Sequence, residues 1–149
     1  LIPGAMIEVP AAALMADKIM PHLRFVSIGT NDLTQYTMAA DRMSPQLAYL
    51  TDPWQPAVLR LIELTCNQGK KFDTAVGVCG EAAADPLLAC VLTGLGVTSL
   101  SAASTAIAGV GAQLASLTLE DCQQAARIAL DSEGATEARS AVREFIQGL

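Results

Sequence analysis

The fold is decided by residues 25–35, which read FVSIGTNDLTQ. This stretch opens with the short apolar run Phe25–Ile28, which is typical of a buried strand. Gly29 ends the run, and Thr30–Asp32 then supplies a hydroxyl, an amide and a carboxylate at the end of the strand. The residue spacing in Leu33–Arg42 predicts that a helix follows. Because α/β proteins carry their chemistry where a strand is followed by a helix, this junction is the first candidate site.

Asn31 and Asp32 also have a purely structural interpretation. Both side chains can accept hydrogen bonds from the free N–H groups of a first helical turn, so both are common N-caps. Taken alone, the pair is better explained by capping. The motifs described below favour a functional role instead.

Composition limits the class of protein. The chain has 149 residues, enough for one domain with a core, and 52% of them are hydrophobic but only 4% aromatic, which suits helices packed on a parallel sheet. A net charge of −6 without a basic cluster argues against nucleic-acid binding. The uncharged stretch Pro86–Leu119 is interrupted too often by Thr, Ser and Gly to span a membrane, so no membrane insertion is expected.

The cysteines and the single histidine make a zinc site unexpected. His22 is the one histidine, and no two cysteines have a C-x-x-C spacing. Scattered cysteines in a chain of this kind are typical of reduced thiols, which predicts a cytoplasmic protein. The chain begins at Leu1 instead of Met, so we expect a piece of a longer protein or a processed product. The four cysteines are Cys66, Cys79, Cys90 and Cys122.

Strands and helices alternate four times along the chain. The predicted strands are Ala5–Ile7, Phe25–Ile28, Thr74–Val78 and Val97–Ser101. The predicted helices are Ala11–Met20, Leu33–Arg42, Trp54–Asn67 (ended by Gly69), Pro86–Thr93 after an Asp85 cap, one introduced by the Thr118–Asp121 capping box, and 136–147. This alternation predicts an α/β fold with a parallel sheet of βα repeats. Eight such units close a barrel of about 250 residues, so four units amount to half of one.

Polar residues follow three of the predicted strands. Glu8, Asp32 and Cys79 come at strand ends, and parallel strands bring their carboxyl ends to one edge about 4.8 Å apart. Glu8 and Asp32 could then share Mg²⁺, which takes one or two carboxylates and leaves its other positions to water and phosphate. Arg42 offers a planar cationic fork for phosphate or carboxylate, and Cys79 offers a proton donor or nucleophile.

Each of these residues has an alternative role. Glu8 could be a solvated strand end, and Arg42 could be an exposed residue paired with Asp41 or Asp52. Cys79 could be a small apolar filler, as most buried cysteines are. These alternatives stay open on the spacing alone.

Four motifs together carry a family resemblance. They are EVPAAA (Glu8–Ala13), SIGTNDLTQYT (Ser27–Thr37), AADRM (Ala39–Met43) and CGE (Cys79–Glu81). Over nearly the whole chain the sequence resembles the phosphoenolpyruvate-binding domain of the Enzyme I family, the phosphoenolpyruvate–protein phosphotransferases of the bacterial sugar phosphotransferase system. The resemblance implies that residues 1–149 are the C-terminal half of a phosphoenolpyruvate/pyruvate-type (βα)₈ TIM barrel, with four βα units and the C-terminal helices.

The resemblance also implies a role for each site residue. Glu8 and Asp32 would hold Mg²⁺, while Asn31 and the backbone beside it would hold the phosphoryl group. Arg42 would bind phosphoenolpyruvate. Cys79 would protonate the enolate carbon and so release pyruvate. A thiol suits this task because its reference pKa is about 8.5.

The partners implied are phosphoenolpyruvate and pyruvate, a histidine-containing phosphocarrier protein reached through an N-terminal domain, and a second copy in a homodimer. The first four barrel strands, with two further substrate arginines, and the domain with the phosphorylated histidine are not in this chain. His22 does not lie in that histidine motif. We therefore expect the chain to be inactive by itself.

Two departures from the family pattern concern the last strand and the helix before it. Leu100–Ala103 reads LSAA where the family usually has FSMS, and Ala82–Asp85 reads AAAD where a glycine commonly precedes the aspartate. These departures indicate a divergent member of the family, such as part of a fused multidomain phosphotransferase.

Two other interpretations remain open. Pyruvate phosphate dikinase and phosphoenolpyruvate synthase share Glu-x-Pro and Gly-Thr-Asn-Asp-Leu, and they differ in using a nucleotide as the acceptor. The chain could also be a non-catalytic folding or dimerisation module, because a half barrel has two unpaired strand edges that seek partners.

Overall fold

The computed structural model describes all of residues 1–149 and contains one four-stranded sheet. Its strands are β1 (Gly4–Ile7), β2 (Phe25–Gly29), β3 (Ala75–Cys79) and β4 (Ser99–Ser101). All neighbouring pairs are parallel, and the strand order is β1-β2-β3-β4. The predicted α/β fold with a parallel sheet is therefore confirmed, and its strand order is that of half a (βα)₈ barrel.

Nine helices accompany the sheet. They are α1 (Pro10–Leu14), α2 (Ala16–Ile19), α3 (Thr30–Met38), α4 (Pro56–Phe72), α5 (Glu81–Ala84), α6 (Pro86–Leu95), α7 (Ser104–Ala115), α8 (Leu119–Asp131) and α9 (Ala135–Gln147). Short 3₁₀ turns lie at Met20–His22 and Pro45–Leu47. None of the helices combines the length and the hydropathy that crossing a membrane requires.

The core lies on one face of the sheet only. Alternate strand residues such as Val26, Ile28 and Val78 are buried against the helices, and each such side chain stabilises the fold by about 1.5–3 kcal/mol. On the opposite face, Met6 is 47% exposed and Phe25 is 44% exposed. This face corresponds to a barrel interior, and here it remains open.

The register of the sheet brings the strand ends to one level. Ile7 pairs with Ile28, so the next residue, Glu8, comes level with Gly29. Gly29 pairs in turn with Cys79. The carboxyl ends of the first three strands therefore form one rim, as the sequence predicts.

Two predicted helices end elsewhere in the structure. The helix predicted over Ala11–Met20 is interrupted at Met15, whose φ of −99° and ψ of 16° separate α1 from α2. The prediction of a helix over Leu33–Arg42 was wrong at both ends, because the helix already begins at Thr30. It ends at Met38, because Ala39 adopts the left-handed conformation with φ of 50°. Arg42 consequently lies in the turn beyond α3.

The prediction for α4 was wrong at both ends. The helix begins at Pro56, so Trp54 precedes it, and it continues through Gly69 to Phe72. Gly69 does not end the helix but allows close packing, since a Cβ there would lie 2.5 Å from Cγ2 of Val76. The helix ends where Asp73 takes a φ of 53°.

Other local predictions have mixed outcomes. Asp85 caps α6 by accepting hydrogen bonds from the N–H groups of Leu87 and Leu88, as predicted. The capping box at the start of α8 is confirmed too. The last strand was predicted too long, because β4 begins only at Ser99, and the short helix α5 was not predicted.

Gly94 provides a test of the packing between α6 and α8. A Cβ at Gly94 would lie 2.0 Å from the carbonyl oxygen of Cys122, so no side chain fits there without separating the helices. We expect Gly94→Ala to lower the free energy of unfolding by about 1–3 kcal/mol, measured by urea denaturation.

Gly111→Ala is the matched control. A Cβ at this helical glycine meets nothing within 4 Å, so alanine should raise the free energy of unfolding by up to about 1 kcal/mol through helix propensity alone. Equal effects of the two substitutions would contradict the close packing of α6 on α8.

Candidate functional site at the strand rim

The Glu8 carboxylate lies over the end of β2. A Cβ built on Gly29 would be 2.7 Å from Oε1 of Glu8 and 2.8 Å from its Cγ. The absence of a side chain at Gly29 therefore creates the space that the carboxylate occupies. Glu8 is a partly buried residue at a defined position, which favours a role at the rim over its interpretation as a freely solvated strand end.

Asn31 and Asp32 lie inside the first turn of α3. The N-cap residue of that helix is Gly29, and no side chain caps it, so the capping interpretation of the pair was wrong. Asn31 lies against Gly80, where a Cβ would be 3.6 Å from Oδ1 of Asn31. Gly80 also has a φ of 97°, which glycine adopts at no steric cost.

Asp32 forms an ion pair with Arg42. Oδ1 of Asp32 lies 3.3 Å from Nη1 of Arg42, with the two side chains 36% and 44% exposed. A pair this exposed contributes little to stability, so both groups remain available to a ligand. The backbone N–H of Arg42 donates to Oε1 of Gln35 at 3.0 Å, which fixes the turn that carries the guanidinium.

The alternative partners proposed for Arg42 are engaged elsewhere. The carboxylate of Asp41 accepts a hydrogen bond from the N–H of Met43 at 2.8 Å. The carboxylate of Asp52 is bound by Arg139 at 2.9 Å. The pairing of Arg42 with Asp41 or Asp52 was therefore a wrong prediction.

Cys79 ends β3 beside the same glycine that Glu8 covers. Its Sγ lies 3.5 Å from the carbonyl oxygen of Ile28, to which the thiol donates. The hydroxyl of Thr30 donates to the carbonyl oxygen of Cys79 at 3.2 Å, which joins the ends of β2 and β3. Cys79 is partly exposed at the rim, whereas the other cysteines are buried.

Two cavities open at this rim and share a wall. One has a volume of about 370 Å³, and the other, about 380 Å³, extends towards Ser101–Ala103. Asn31 and Glu81 line both cavities. Among the predicted site residues, Asn31 and Arg42 meet in the first cavity, while Glu8, Asp32 and Cys79 lie at the rim without lining either. The first cavity is lined by Asn31, Arg42, Met43, Thr51 and Glu81.

Sequence reasoning assigned no role to Glu81, Met43 or Thr51. Glu81 had a signal, because it follows the end of β3 within the CGE motif. Met43 had one too, since it ends the AADRM motif, whereas Thr51 had none, because it comes from an irregular segment without periodicity. Only the folded chain brings that segment to the rim.

The buried cysteines are poor nucleophiles. Burial raises the pKa of the Cys66 thiol to about 12. Burial, followed by the neighbouring Cys122, raises the pKa of Cys90 to about 12 as well. Burial, followed by the charge of Asp121, raises the pKa of Cys122. Burial therefore disfavours the thiolate form of all three thiols.

Alkylation with iodoacetamide at pH 8 should therefore modify Cys79 first, because its thiol is partly exposed to the reagent while burial disfavours the reactive thiolate form of the other three. We expect mass spectrometry of the folded chain to find Cys79 modified before Cys66, Cys90 and Cys122. All four should react at similar rates in urea. Faster modification of Cys66 than of Cys79 in the folded chain would contradict this account.

The donor set at the rim fits Mg²⁺. The structure contains no group of three or more His, Cys, Asp or Glu side chains, so it offers no closed metal cage. Mg²⁺ does not need one, because it commonly uses one or two carboxylates with water and substrate phosphate. Glu8, in the space that Gly29 leaves, and Asp32, in the first turn of the helix that follows, supply two carboxylates of this kind at the rim.

The fold and the rim together define a class: an α/β protein of the βα-barrel type with an acidic and cationic site at the carboxyl ends of its strands. A family model described as "PEP-utilising enzyme, PEP-binding domain" matches residues 2–119. The chain therefore belongs to this family of phosphoenolpyruvate (PEP)-utilising enzymes.

Named relatives agree with this membership. The chain is 52% identical over 145 residues to a phosphoenolpyruvate-protein phosphotransferase of Streptomyces coelicolor, covering 97% of this chain and 26% of that protein. It is 50% identical over 137 residues to a multiphosphoryl transfer protein of Xanthomonas campestris, covering 92% and 16%. A phosphoenolpyruvate-protein phosphotransferase of Mycoplasma pneumoniae is 42% identical over 144 residues, covering 97% and 25%. The chain thus spans about a quarter or less of the length of these curated relatives.

Proposed function

We propose that this chain is the C-terminal half of the barrel of a phosphoenolpyruvate–protein phosphotransferase. The enzyme transfers the phosphoryl group of phosphoenolpyruvate to a protein histidine and releases pyruvate, at the head of the sugar phosphotransferase system. The observation that carries the proposal is the convergence of Glu8, Asp32 with Arg42, Asn31 and Cys79 at one strand rim. The named relatives favour a protein acceptor over the nucleotide used by the dikinase and synthase alternatives.

Substrate binding uses charge and geometry. The guanidinium of Arg42 turns from Asp32 to the anionic groups of phosphoenolpyruvate, to which it can donate two parallel hydrogen bonds. The amide of Asn31 donates to the phosphoryl oxygens. Glu8 and Asp32 would hold Mg²⁺, which would supply positive charge to the phosphoryl group during its transfer.

The proposed reaction needs one proton, which the thiol of Cys79 supplies to the enolate. The bond between phosphorus and the bridging oxygen breaks while a phosphorus–nitrogen bond to the acceptor histidine forms, and the enolate keeps the electron pair. Cys79 then gives its proton to the enolate carbon to yield pyruvate, and its thiolate regains a proton from solvent. His22 lies before β2, away from the strand carboxyl ends, and so is not the acceptor.

The proposal extends to assembly and partners. Residues 1–149 act as a single domain fragment, with its four βα units and C-terminal helices completing a barrel with a preceding half. A histidine-containing phosphocarrier protein receives the phosphoryl group, and the enzyme works as a homodimer. The four free cysteines support a cytoplasmic site of action.

The test uses a hybrid enzyme, in which this chain replaces the matched segment of the Streptomyces coelicolor relative. We expect the hybrid enzyme to form pyruvate from phosphoenolpyruvate when Mg²⁺ and the phosphocarrier protein are present. Pyruvate formation should stop when EDTA removes the metal. The 149-residue chain alone should form none. A folded hybrid enzyme without pyruvate formation would refute the proposed function, and turnover by the chain alone would refute the shared active site.

A further inference from the structure

Trp54, the only tryptophan of the chain, ties together three distant segments. The residue is fully buried, and its indole Nε1–H donates to Oδ2 of Asp85 at 3.0 Å. Its backbone N–H donates to Oδ1 of Asp52 at 3.0 Å. The guanidinium of Arg139 lies 5.6 Å from the centre of its ring, within range of a cation–π contact. We call Asp52, Trp54, Asp85 and Arg139 the clamp.

Arg139 reaches the clamp from α9, outside the residues that the family model matches. A single nitrogen, Nη2, donates to both carboxylate oxygens of Asp52, at 3.0 and 2.9 Å. The Asp52 side chain is only 20% exposed, so water screens this pair less than a surface pair. The C-terminal helix therefore holds the segment that follows Arg42.

The clamp joins the two walls of the first rim cavity. Asp52 directly follows Thr51, which lines one wall. Asp85 directly follows α5, the helix that begins with Glu81 on the other wall. Asp85 uses Oδ1 to cap α6 and Oδ2 to accept the Trp54 bond, so both of its oxygens are engaged. These bonds therefore link the segment of Thr51 to the segment of Glu81, and both residues line the cavity.

We propose that Arg139 is a positioning residue for substrate binding: through the clamp it sets the position of the Thr51 wall relative to Glu81. This inference rests on the proposed function of the same cavity. Arg139 does not touch the substrate. Its removal should weaken ground-state and transition-state binding alike, which raises KM and leaves kcat almost unchanged.

The test measures KM and kcat for phosphoenolpyruvate in the hybrid enzyme. We expect Arg139→Met to raise KM between about tenfold and a hundredfold, with kcat within about twofold of the parent value. Arg139→Lys should recover most of the loss, because one nitrogen makes both bonds to Asp52 and an ammonium group can replace it. Arg127→Met is the matched control, since Arg127 bonds only Gln124 on the exposed face of α8.

Fluorescence of the isolated chain supplies a second readout. Because Trp54 is its only tryptophan, the emission reports the clamp directly. We expect Arg139→Met to shift the emission to longer wavelength while the far-UV circular dichroism stays native, and Arg127→Met to leave both unchanged. If Arg139→Met does not fold, Asp52→Asn and Trp54→Phe test the clamp by the same KM measurement.

The outcomes separate this inference from the function on which it rests. A hybrid enzyme that forms no pyruvate refutes both. An active hybrid enzyme whose KM is unchanged by Arg139→Met, or by both reserve variants, refutes the inference alone. A loss of kcat without a change in KM, or a defect that Arg139→Lys does not relieve, also refutes the positioning role.

Discussion

Glu8→Gln in the hybrid enzyme is expected to lower kcat/KM for phosphoenolpyruvate by at least about a hundredfold. Glutamine keeps the size of the side chain that fills the space over Gly29, so the rim keeps its shape. The substitution removes only the negative charge, and a neutral amide is a much weaker ligand for Mg²⁺ than a carboxylate. The phosphoryl group would then lose the positive charge that we propose the metal supplies, and only Arg42 and Asn31 would remain to stabilise it.

The dependence of activity on Mg²⁺ concentration distinguishes the loss of a metal ligand from a general loss of structure. A higher Mg²⁺ concentration should restore part of the activity of Glu8→Gln, and Asp32→Asn should show the same dependence. Glu144→Gln is the control, because Glu144 is an exposed glutamate near the end of α9. Parent-like activity of Glu8→Gln at limiting Mg²⁺ would show that Glu8 is not a metal ligand.

The second large effect is expected at Cys79. Cys79→Ser keeps a donor for the Ile28 carbonyl group but replaces the thiol with a far weaker acid. We expect pyruvate formation to slow by about 10²–10⁴-fold, the usual contribution of general acid–base catalysis. The KM for phosphoenolpyruvate should change little, since the thiol does not hold the substrate.

Exchange of the pyruvate methyl protons isolates this step. In D₂O with Mg²⁺, NMR should show that the hybrid enzyme exchanges these protons and that Cys79→Ser does not. Cys66→Ala serves as the control, because Cys66 is buried away from the rim. Exchange at the parent rate in Cys79→Ser would mean that another group protonates the enolate.

The predictions of helix starts were correct where a side chain caps the helix. The pair Asp85–Pro86 caps and starts α6, and the Thr118–Asp121 box starts α8, because side-chain bonds at those positions are local. The predictions of helix ends were wrong where the end depends on backbone conformation alone. Ala39 and Asp73 end their helices in the left-handed conformation, which few residues other than glycine adopt.

Gly69 illustrates why a local rule can mislead. A glycine followed by two lysines is typical of a helix end, yet the helix passes through it. Val76 packs so closely against Gly69 that any side chain would collide with it. Such a contact between residues distant in sequence leaves no periodic signal.

The same distinction between local sequence signals and contacts between distant residues applies to the candidate site. The rim positions of Glu8, Asp32 and Cys79 could be predicted because each lies at or just after the carboxyl end of a strand, and parallel strands bring their ends together. Their roles stay a prediction. Thr51 and the clamp could not be predicted, whereas Glu81 had the signal of the CGE motif. Arg139 meets Asp52 across 87 residues, and the segment between Arg42 and Pro53 has no periodicity that would indicate its path.

The most direct test of the account is a Mn²⁺ titration of the ¹⁵N-labelled 149-residue chain, followed by NMR. Mn²⁺ replaces Mg²⁺ at oxygen ligands and broadens the resonances of nearby nuclei. If Glu8 and Asp32 share one metal site, the amide resonances of Gly29 and Asp32 should broaden first, and that of Arg24 at the opposite end of β2 should not. Broadening centred on other carboxylates, such as those of 131–137, with the rim resonances intact, would contradict the metal site on which the proposed function depends.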